Sequence, residues 1–333
     1  MLVLPPRMEL ARLPTPITPL TRFALPAGSP RVWVKRDEMT GTEVSGNKIR
    51  KLEFSLAQAK EEGCDVIITC GGLQSNHCRA TAILGARLGL EVHLILRGQP
   101  EEVPDGNHFL DLLVGANITY LAEEKFSRHP ELARELQREY EAKGSKAFFI
   151  PTGASDEIGL WGYLNACQEL KENFADLGIS PEYLVVATGS GGTQAGLILG
   201  NRMLELGSSV HAYNVCDNER YFGNKVRTDL RLWQERYAGL QNPPVDVEAL
   251  AIETIDGYVG PGYAKAEAHI FELIAELART EGIILDPVYT AKAFYGLLEE
   301  IRRGRYKGCR DIVFIHTGGV FGLFPQKRAF AWQ

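Results

Sequence analysis

The sequence predicts an α/β protein whose sheets are mostly parallel, twisted and flanked by helices. Three observations carry that prediction. Short β-branched runs alternate with amphipathic stretches of helical period. The alternation runs through residues 65–150 and starts again at residue 182, so two α/β units share the chain. Two of the strands also run into polar, glycine-bearing turns that open helices: "GGLQSN" after "DVIITC", and "GSGGTQAG" after "EYLVVAT".

The elements follow in order. Residues 1–30 are a proline-rich, irregular arm, and 31–38 ("RVWVKRDE") form a short strand. A helix opens at "SGNK", with Ile49, Leu52, Leu56 and Ala59 on one stripe. Then come a strand at 65–70, a helix from His77 to Leu88, a strand at 91–97, a helix over 107–116 and a strand at 118–121. A charge-dense but amphipathic helix at 129–143 and a strand at 147–150 complete the first series. "PTGASDEIG" (151–159) is a turn-rich joint leading into another helix. The second series has a strand at 182–188, a helix ending near Leu206 and a strand at 210–215. Helices near 265–281 and 291–303 and a strand at 311–316 follow. The unit boundary falls near residue 155. Residues 50–155 make a small α/β unit; 1–49 with 156–333 make the large one.

Composition narrows the function. The 333 residues carry 36 Lys and Arg against 42 Asp and Glu, a net charge of −6, which argues against nucleic acid as the general partner. Six scattered cysteines, with no CxxC and no metal-ligand cluster, fit a reducing cytoplasm, and no metal is expected. Two prolines and an arginine interrupt the N-terminal apolar run, so no signal peptide is read there. No stretch approaches the roughly 20 apolar residues of a membrane span. The reading is a soluble cytoplasmic protein.

Chemistry points first to Lys48. A helix N-terminus favours anions, yet Lys48 and Lys51 both fall in a first turn. The loop Thr188, Gly189, Ser190, Gly191, Gly192 and Thr193 follows a strand and opens a helix, which suits one phosphate; a tight glycine turn is the bland alternative. No Lys-Ser/Thr follows the last glycine, and no acid ends the next strand, where Asn214 stands, so the marks of ATP and of NAD are missing. Ser75 and Asn76 are either helix caps or ligand contacts at a second strand-to-helix turn. His77, at the helix start, reads as a surface histidine rather than a base. Thr317 ends the last strand, where ligands of open α/β sheets gather. Tyr263 and Tyr289 lie in loops. A lysine paired with a one-phosphate cradle suggests pyridoxal 5′-phosphate, held between the two units. A neighbouring cation such as Lys51 would lower the pKa of Lys48 and favour its free amine.

With "KRDEMTG…SGNKIRKLEF", "GGLQSNHCRATA", "TGSGGTQAGL", "PGYA", "DPVYTAKA" and "HTGGVFGLF" in this order, the chain resembles the fold type II, tryptophan synthase β-like pyridoxal-phosphate enzymes. Within them it is closest to the D-cysteine desulfhydrase and 1-aminocyclopropane-1-carboxylate (ACC) deaminase group. The resemblance implies that Lys48 is the covalent anchor, that Asn76 bonds the cofactor's phenolic oxygen, and that Ser75 sits over the ring near the substrate. It implies that Thr188–Thr193 with Lys51 hold the phosphate and that Thr317 meets the pyridine nitrogen. Tyr263 and Tyr289 would flank a small amino-acid substrate, with Ser75, Asn76, His77, Thr290 and Gly318 as further contacts. Lys48, Ser75, Tyr263 and Tyr289 form the catalytic set. ACC deaminases of the family carry Glu after the tyrosine of "DPVY" and Leu before the Gly-Gly. Thr290 and Thr317 stand there instead, the desulfhydrase-like pattern. The implied reaction is β-elimination from D-cysteine or a close analogue, giving pyruvate, ammonia and hydrogen sulfide. ACC deamination, L-cysteate sulfo-lyase activity and cofactor binding without turnover are the alternatives. The family habit is a homodimer.

Overall fold

A computed structural model describes residues 3–240 and 244–331. Its strands are β1 (Ile17–Pro19), β2 (Arg31–Lys35), β3 (Val66–Gly72), β4 (Glu91–Arg97), β5 (Asn117–Leu121), β6 (Ala147–Ile150), β7 (Tyr183–Thr188), β8 (Ser209–Asn214), β9 (Glu253–Ile255) and β10 (Asp311–Ile315). Its helices are α1 (Asn47–Glu61), α2 (Asn76–Leu88), α3 (Gly106–Leu113), α4 (His129–Ala142), α5 (Trp161–Leu177), α6 (Gly192–Leu204), α7 (Glu219–Arg236), α8 (Ala268–Glu281) and α9 (Thr290–Arg302).

The strands form two sheets. One runs β5-β4-β3-β6 and is parallel throughout. The other runs β1-β2-β10-β7-β8-β9, parallel except for β1, which lies antiparallel on β2 at the edge. Period-2 alternation splits β7 between two cores. Leu184 and Val186 face one apolar cluster with α5 and α6. Val185 and Ala187 face another with α8 and α9. A parallel sheet covered on both faces needs near-continuous apolar strands, and β3, β7 and β10 have them.

Helix α1 is buried on nearly every side. Ile49, Leu52, Leu56 and Ala59 join the core of the four-stranded sheet. Phe54 faces the other way and stacks on Trp161 of α5, ring centroids 6.4 Å apart. Arg50 lies in a buried charge network. Its guanidinium donates to Asp37 at 2.7 and 3.0 Å and to Glu169 at 3.0 and 3.1 Å, and Glu169 also takes the Lys35 ammonium. α1 is thus pinned between the sheets by apolar contact on one flank and paired charge on the other.

The structure adds three elements. β1 lies in the arm expected to be irregular; it is three residues long and ends at Pro19, an edge position proline tolerates. α7 and β9 occupy a stretch where no element was expected. The buried stripe of α7 (Phe222, Val226, Leu230, Trp233) is narrow and diluted by charge, which masks its period. Among the described residues no helix is long and apolar enough to cross a membrane.

Candidate active site

The carboxyl ends of β3, β7 and β10 and the start of α1 converge on one cavity of about 630 Å3. That volume suits a cofactor together with a small substrate.

The start of α1 is built by close backbone approach. Gly46 has φ 109°, and a Cβ there would stand 2.5 Å from the Thr317 carbonyl oxygen. A Cβ on Gly318 would stand 2.7 Å from the Gly46 Cα, so both positions require glycine. The Asn47 amide N–H donates to that Thr317 carbonyl at 3.1 Å, satisfying one orphan donor of the helix. The side chain of Asn47 then works in two directions: its Nδ2 donates to the Thr193 hydroxyl at 3.0 Å, and its Oδ1 accepts from Lys48 Nζ at 2.9 Å. Lys48 is half-buried on the cavity wall, with Nζ 6.0 Å from the centroid of the Tyr289 ring. Burial, reinforced by Arg79, lowers its pKa to about 8 against the opposing pull of Asp286, so a free amine is accessible near neutrality.

The glycine loop lines one end of the cavity through Thr188, Gly189, Ser190, Gly191 and Thr193. Gly191 has φ 87°, a conformation glycine supplies freely. A Cβ on Gly189 would approach Tyr289 Cε1 to 2.9 Å, and one on Gly192 would reach the Ser155 hydroxyl at 2.6 Å. Side chains are excluded so that backbone amides and the α6 N-terminus can face a ligand. Gly192 itself is buried behind the lining, its N–H donating to Ser155 Oγ at 3.1 Å. Lys51 is also behind it: its ammonium donates to Gly153 O at 2.8 Å and to Ser155 Oγ at 3.1 Å. Burial and the charges of Lys48 and Lys225 hold its pKa well below 10.5. Ser155 in turn bonds Ser190 at 2.8 Å, so Lys51 supports the loop through Ser155. Lys225 is a second cation on this wall, donating to Ser155 O at 3.0 Å and to Asp229.

At the start of α2, Ser75 is both cap and wall. Its hydroxyl accepts from the Cys78 N–H at 3.1 Å while the residue lines the cavity. Asn76 lines the cavity too, and its Oδ1 accepts from Asn107 Nδ2 at 3.0 Å, which leaves its own NH2 group to point elsewhere. His77 is not on the surface as its helix-start position suggested; it is 2% exposed. Thr69 gives its hydroxyl proton to Ile150 O, so His77 Nε2 must donate to Thr69 Oγ1 at 2.7 Å. Among the described residues Nδ1 is then a buried acceptor without a partner. Burial, with Lys48 and Lys51 nearby, keeps this ring neutral well below its usual range.

Tyr263 and Tyr289 meet over the cavity, their hydroxyls hydrogen-bonded to each other. Burial raises both phenols, so both are neutral; the Arg97 charge opposes the rise at Tyr263. One shared hydrogen bond between two phenols leaves one hydroxyl proton free for a ligand. Asp286 aims Tyr289 by accepting the N–H groups of Val288, Tyr289 and Thr290 at 2.9 Å each. Lys292 holds the loop before Tyr263, donating to Val259 O at 2.7 Å and Gly262 O at 2.9 Å. Thr317 and Gly318 complete the wall. Thr290 does not reach it: this buried residue donates its hydroxyl to Asp286 at 2.7 Å.

Sequence reasoning had not singled out Asn47, Ser155, Lys225, Asn107, Asp286, Lys292 or Arg97. Asn47 lay inside "SGNKIRKLEF", Asp286 and Lys292 inside "DPVYTAKA" and Ser155 inside "PTGASDEIG", so position near a marked residue was an available signal. The others had none.

The residues fit a phosphorylated aldehyde cofactor. Among the described residues Thr188 Oγ1 is buried without a partner, the glycine loop is shaped to admit an anion, and a lysine amine stands in the same cavity. Comparison with known proteins agrees. The family description "Pyridoxal-phosphate dependent enzyme" matches residues 8–318. An Arabidopsis thaliana protein named bifunctional D-cysteine desulfhydrase/1-aminocyclopropane-1-carboxylate deaminase, mitochondrial, is 42% identical over 96% of this chain and 79% of its own. A crystal structure of an ACC deaminase homologue superposes with a TM-score of 0.83 at 36% identity, over 97% of this chain and 94% of that one. A hydrogen sulfide-producing enzyme from Fusobacterium nucleatum shares the fold alone, with a TM-score of 0.63 at 15% identity over 91% and 93%. The chain belongs to the pyridoxal-phosphate dependent enzymes of fold type II, among the homologues of ACC deaminase and D-cysteine desulfhydrase.

Proposed function

We propose that the protein is a β-eliminating lyase that converts D-cysteine, or a close β-substituted amino acid, with water to pyruvate, ammonia and hydrogen sulfide. The observation that carries this reading is the phenol pair Tyr263–Tyr289 set above Lys48, with Thr290 turned away onto Asp286. By the family resemblance, ring opening of ACC goes with a glutamate at the Thr290 position. Among the described residues lining this cavity the sole carboxylate is Asp217, an exposed residue.

Pyridoxal phosphate, when bound, draws electrons from the α-carbon of an amino acid attached through its amine. In this reading Lys48 holds the cofactor, and the Thr188–Thr193 loop, backed by Ser155 and Lys51, takes the phosphate. Asn76 and Thr317, both on the cavity wall, would hold the cofactor's ring. A Lys48 amine not engaged with the cofactor would take the α-proton and later give it up, to solvent or to the phenol pair, before holding the cofactor again. The free phenol proton of the Tyr263–Tyr289 pair goes to the departing sulfur. The start of α2, with Ser75, Asn76 and His77, receives the substrate carboxylate at a helix N-terminus.

The test is a substrate panel of D-cysteine, L-cysteine, ACC, L-cysteate, D-serine and β-chloro-D-alanine, scored by keto acid. Pyruvate and sulfide from D-cysteine are expected; no pyruvate from any β-substituted member would sink the reading. The bifunctional relative favours a second reading, ACC deamination, which the same panel registers as 2-oxobutanoate from ACC.

A further inference from the structure

One cation of the cavity is left over by that chemistry. Arg97 ends β4 and lines the cavity at the end where Gly72 and Tyr263 stand. A Cβ on Gly72 would lie 3.6 Å from Tyr263 Cε1 and 3.9 Å from Arg97 Nη2, so guanidinium and phenol flank the same backbone. Two rings hold the guanidinium. Its carbon is 5.1 Å from the Tyr263 centroid and 5.4 Å from the Phe126 centroid. Ring contact engages the flat face of a guanidinium and leaves its N–H groups, which lie in the plane, able to bond a forked anion. Among the described residues no carboxylate pairs with Arg97. Asp217 lines the same cavity and no ion pair joins them. His129, stacked on Phe126 at 4.8 Å, also lines this wall. The phosphate end has its own cations, Lys51 and Lys225, and the start of α2 offers orphan amides for an α-carboxylate. Arg97 is therefore free for the substrate's side chain.

We propose that Arg97 is a specificity residue that recognises a negative charge on the β-substituent of the substrate, whether a departing thiolate or a fixed anion such as sulfonate. The proposal rests on the β-elimination reading for where the side chain lies. It commits to a charge and a site rather than to a leaving group.

An isosteric pair without a leaving group tests it. Aspartate and asparagine are close in shape, and their β-substituents differ in charge and in one acceptor exchanged for a donor group. Both enantiomers of each are titrated into the holoenzyme, with the dissociation constant read from the change in its visible absorbance. The wild type is expected to bind aspartate at least about tenfold more tightly than asparagine in one enantiomeric series. Arg97→Gln should bring the ratio to about one, and Arg97→Lys should retain part of it. The ratio is internal to each variant, so a general loss of folding or cofactor does not mimic the result. No preference in the wild type, or an unchanged ratio in Arg97→Gln, overturns the proposal. Equal weakening of both ligands by Arg97→Gln also overturns it and gives Arg97 the α-carboxylate instead. Because binding is read without turnover, the outcome is independent of the panel that decides the β-elimination reading.

Discussion

The Asn47 side chain donates to the Thr193 hydroxyl at 3.0 Å, joining positions 146 apart. It thereby ties the residue before Lys48 to the last residue of the glycine loop. The same amide oxygen accepts from Lys48 Nζ at 2.9 Å. Lys48 and the glycine loop are thus held in one geometry by a single short side chain.

Asn47→Ala should loosen that geometry without unfolding the protein. Losing one such bond is worth about 0.5–1.5 kcal/mol, or roughly a 2- to 12-fold rise in the dissociation constant for pyridoxal phosphate. Equilibrium dialysis of the apoprotein measures it. An unchanged constant would show that the crossing does not support the cofactor.

Lys48→Ala should abolish the visible band of the lysine-bound cofactor and pyruvate release together. In the wild-type apoprotein the amine pKa is about 8, depressed by burial. Only the neutral amine attacks an aldehyde, so the rate of cofactor reloading should climb as pH rises through about 8 and then level off. A rate flat across that window would contradict the assigned burial and charge environment.

Tyr289→Phe keeps the ring against Gly189 and removes the hydroxyl. If the pair delivers a proton to the leaving group, kcat should fall by about 100- to 10,000-fold with little change in KM. The loss should be smaller for β-chloro-D-alanine, whose chloride departs without a proton. An equal loss on both substrates would assign the phenols to packing.

Arg50→Met strands Asp37, whose folded pKa is held below 3.8 chiefly by Arg50 against desolvation. Breaking a buried pair on one side costs about 3–5 kcal/mol, read as a lowered denaturant midpoint near neutral pH. A carboxylate with a depressed folded pKa contributes its stability above its unfolded value and loses it as pH falls through the folded one. The gap between wild type and variant should therefore narrow below about pH 4. A gap constant into acid would mean that packing, not charge, is what the arginine supplies.

Most strands and helices were legible because their signals are local. The 91–97 and 147–150 strands are found where alternation and β-branching set them. β1 and β9 were not legible: three residues give no period, and they are strands because a neighbour offers an edge. The narrow stripe of α7 was written in the sequence but masked by charge. In the site, Lys48, the glycine loop and the tyrosines stand on one cavity, whereas Lys51 and Gly192 lie behind its wall and Thr290 faces Asp286. Direction of a side chain depends on the backbone it meets, which residue type and spacing do not report.

By itself the sequence determined the α/β alternation, the glycine turns at strand ends and the presence of a lysine where a helix begins, since propensity, period and turn chemistry act over a few residues. Tertiary structure alone decided that Ser155 stands between Lys51 and the loop, that Asn107 orients Asn76, that His77 is buried, and that Arg97 meets two rings and, among the described residues, no carboxylate. Most of those relations join residues about thirty to more than a hundred positions apart, where only close packing of the two sheets around α1 fixes distance, burial and charge.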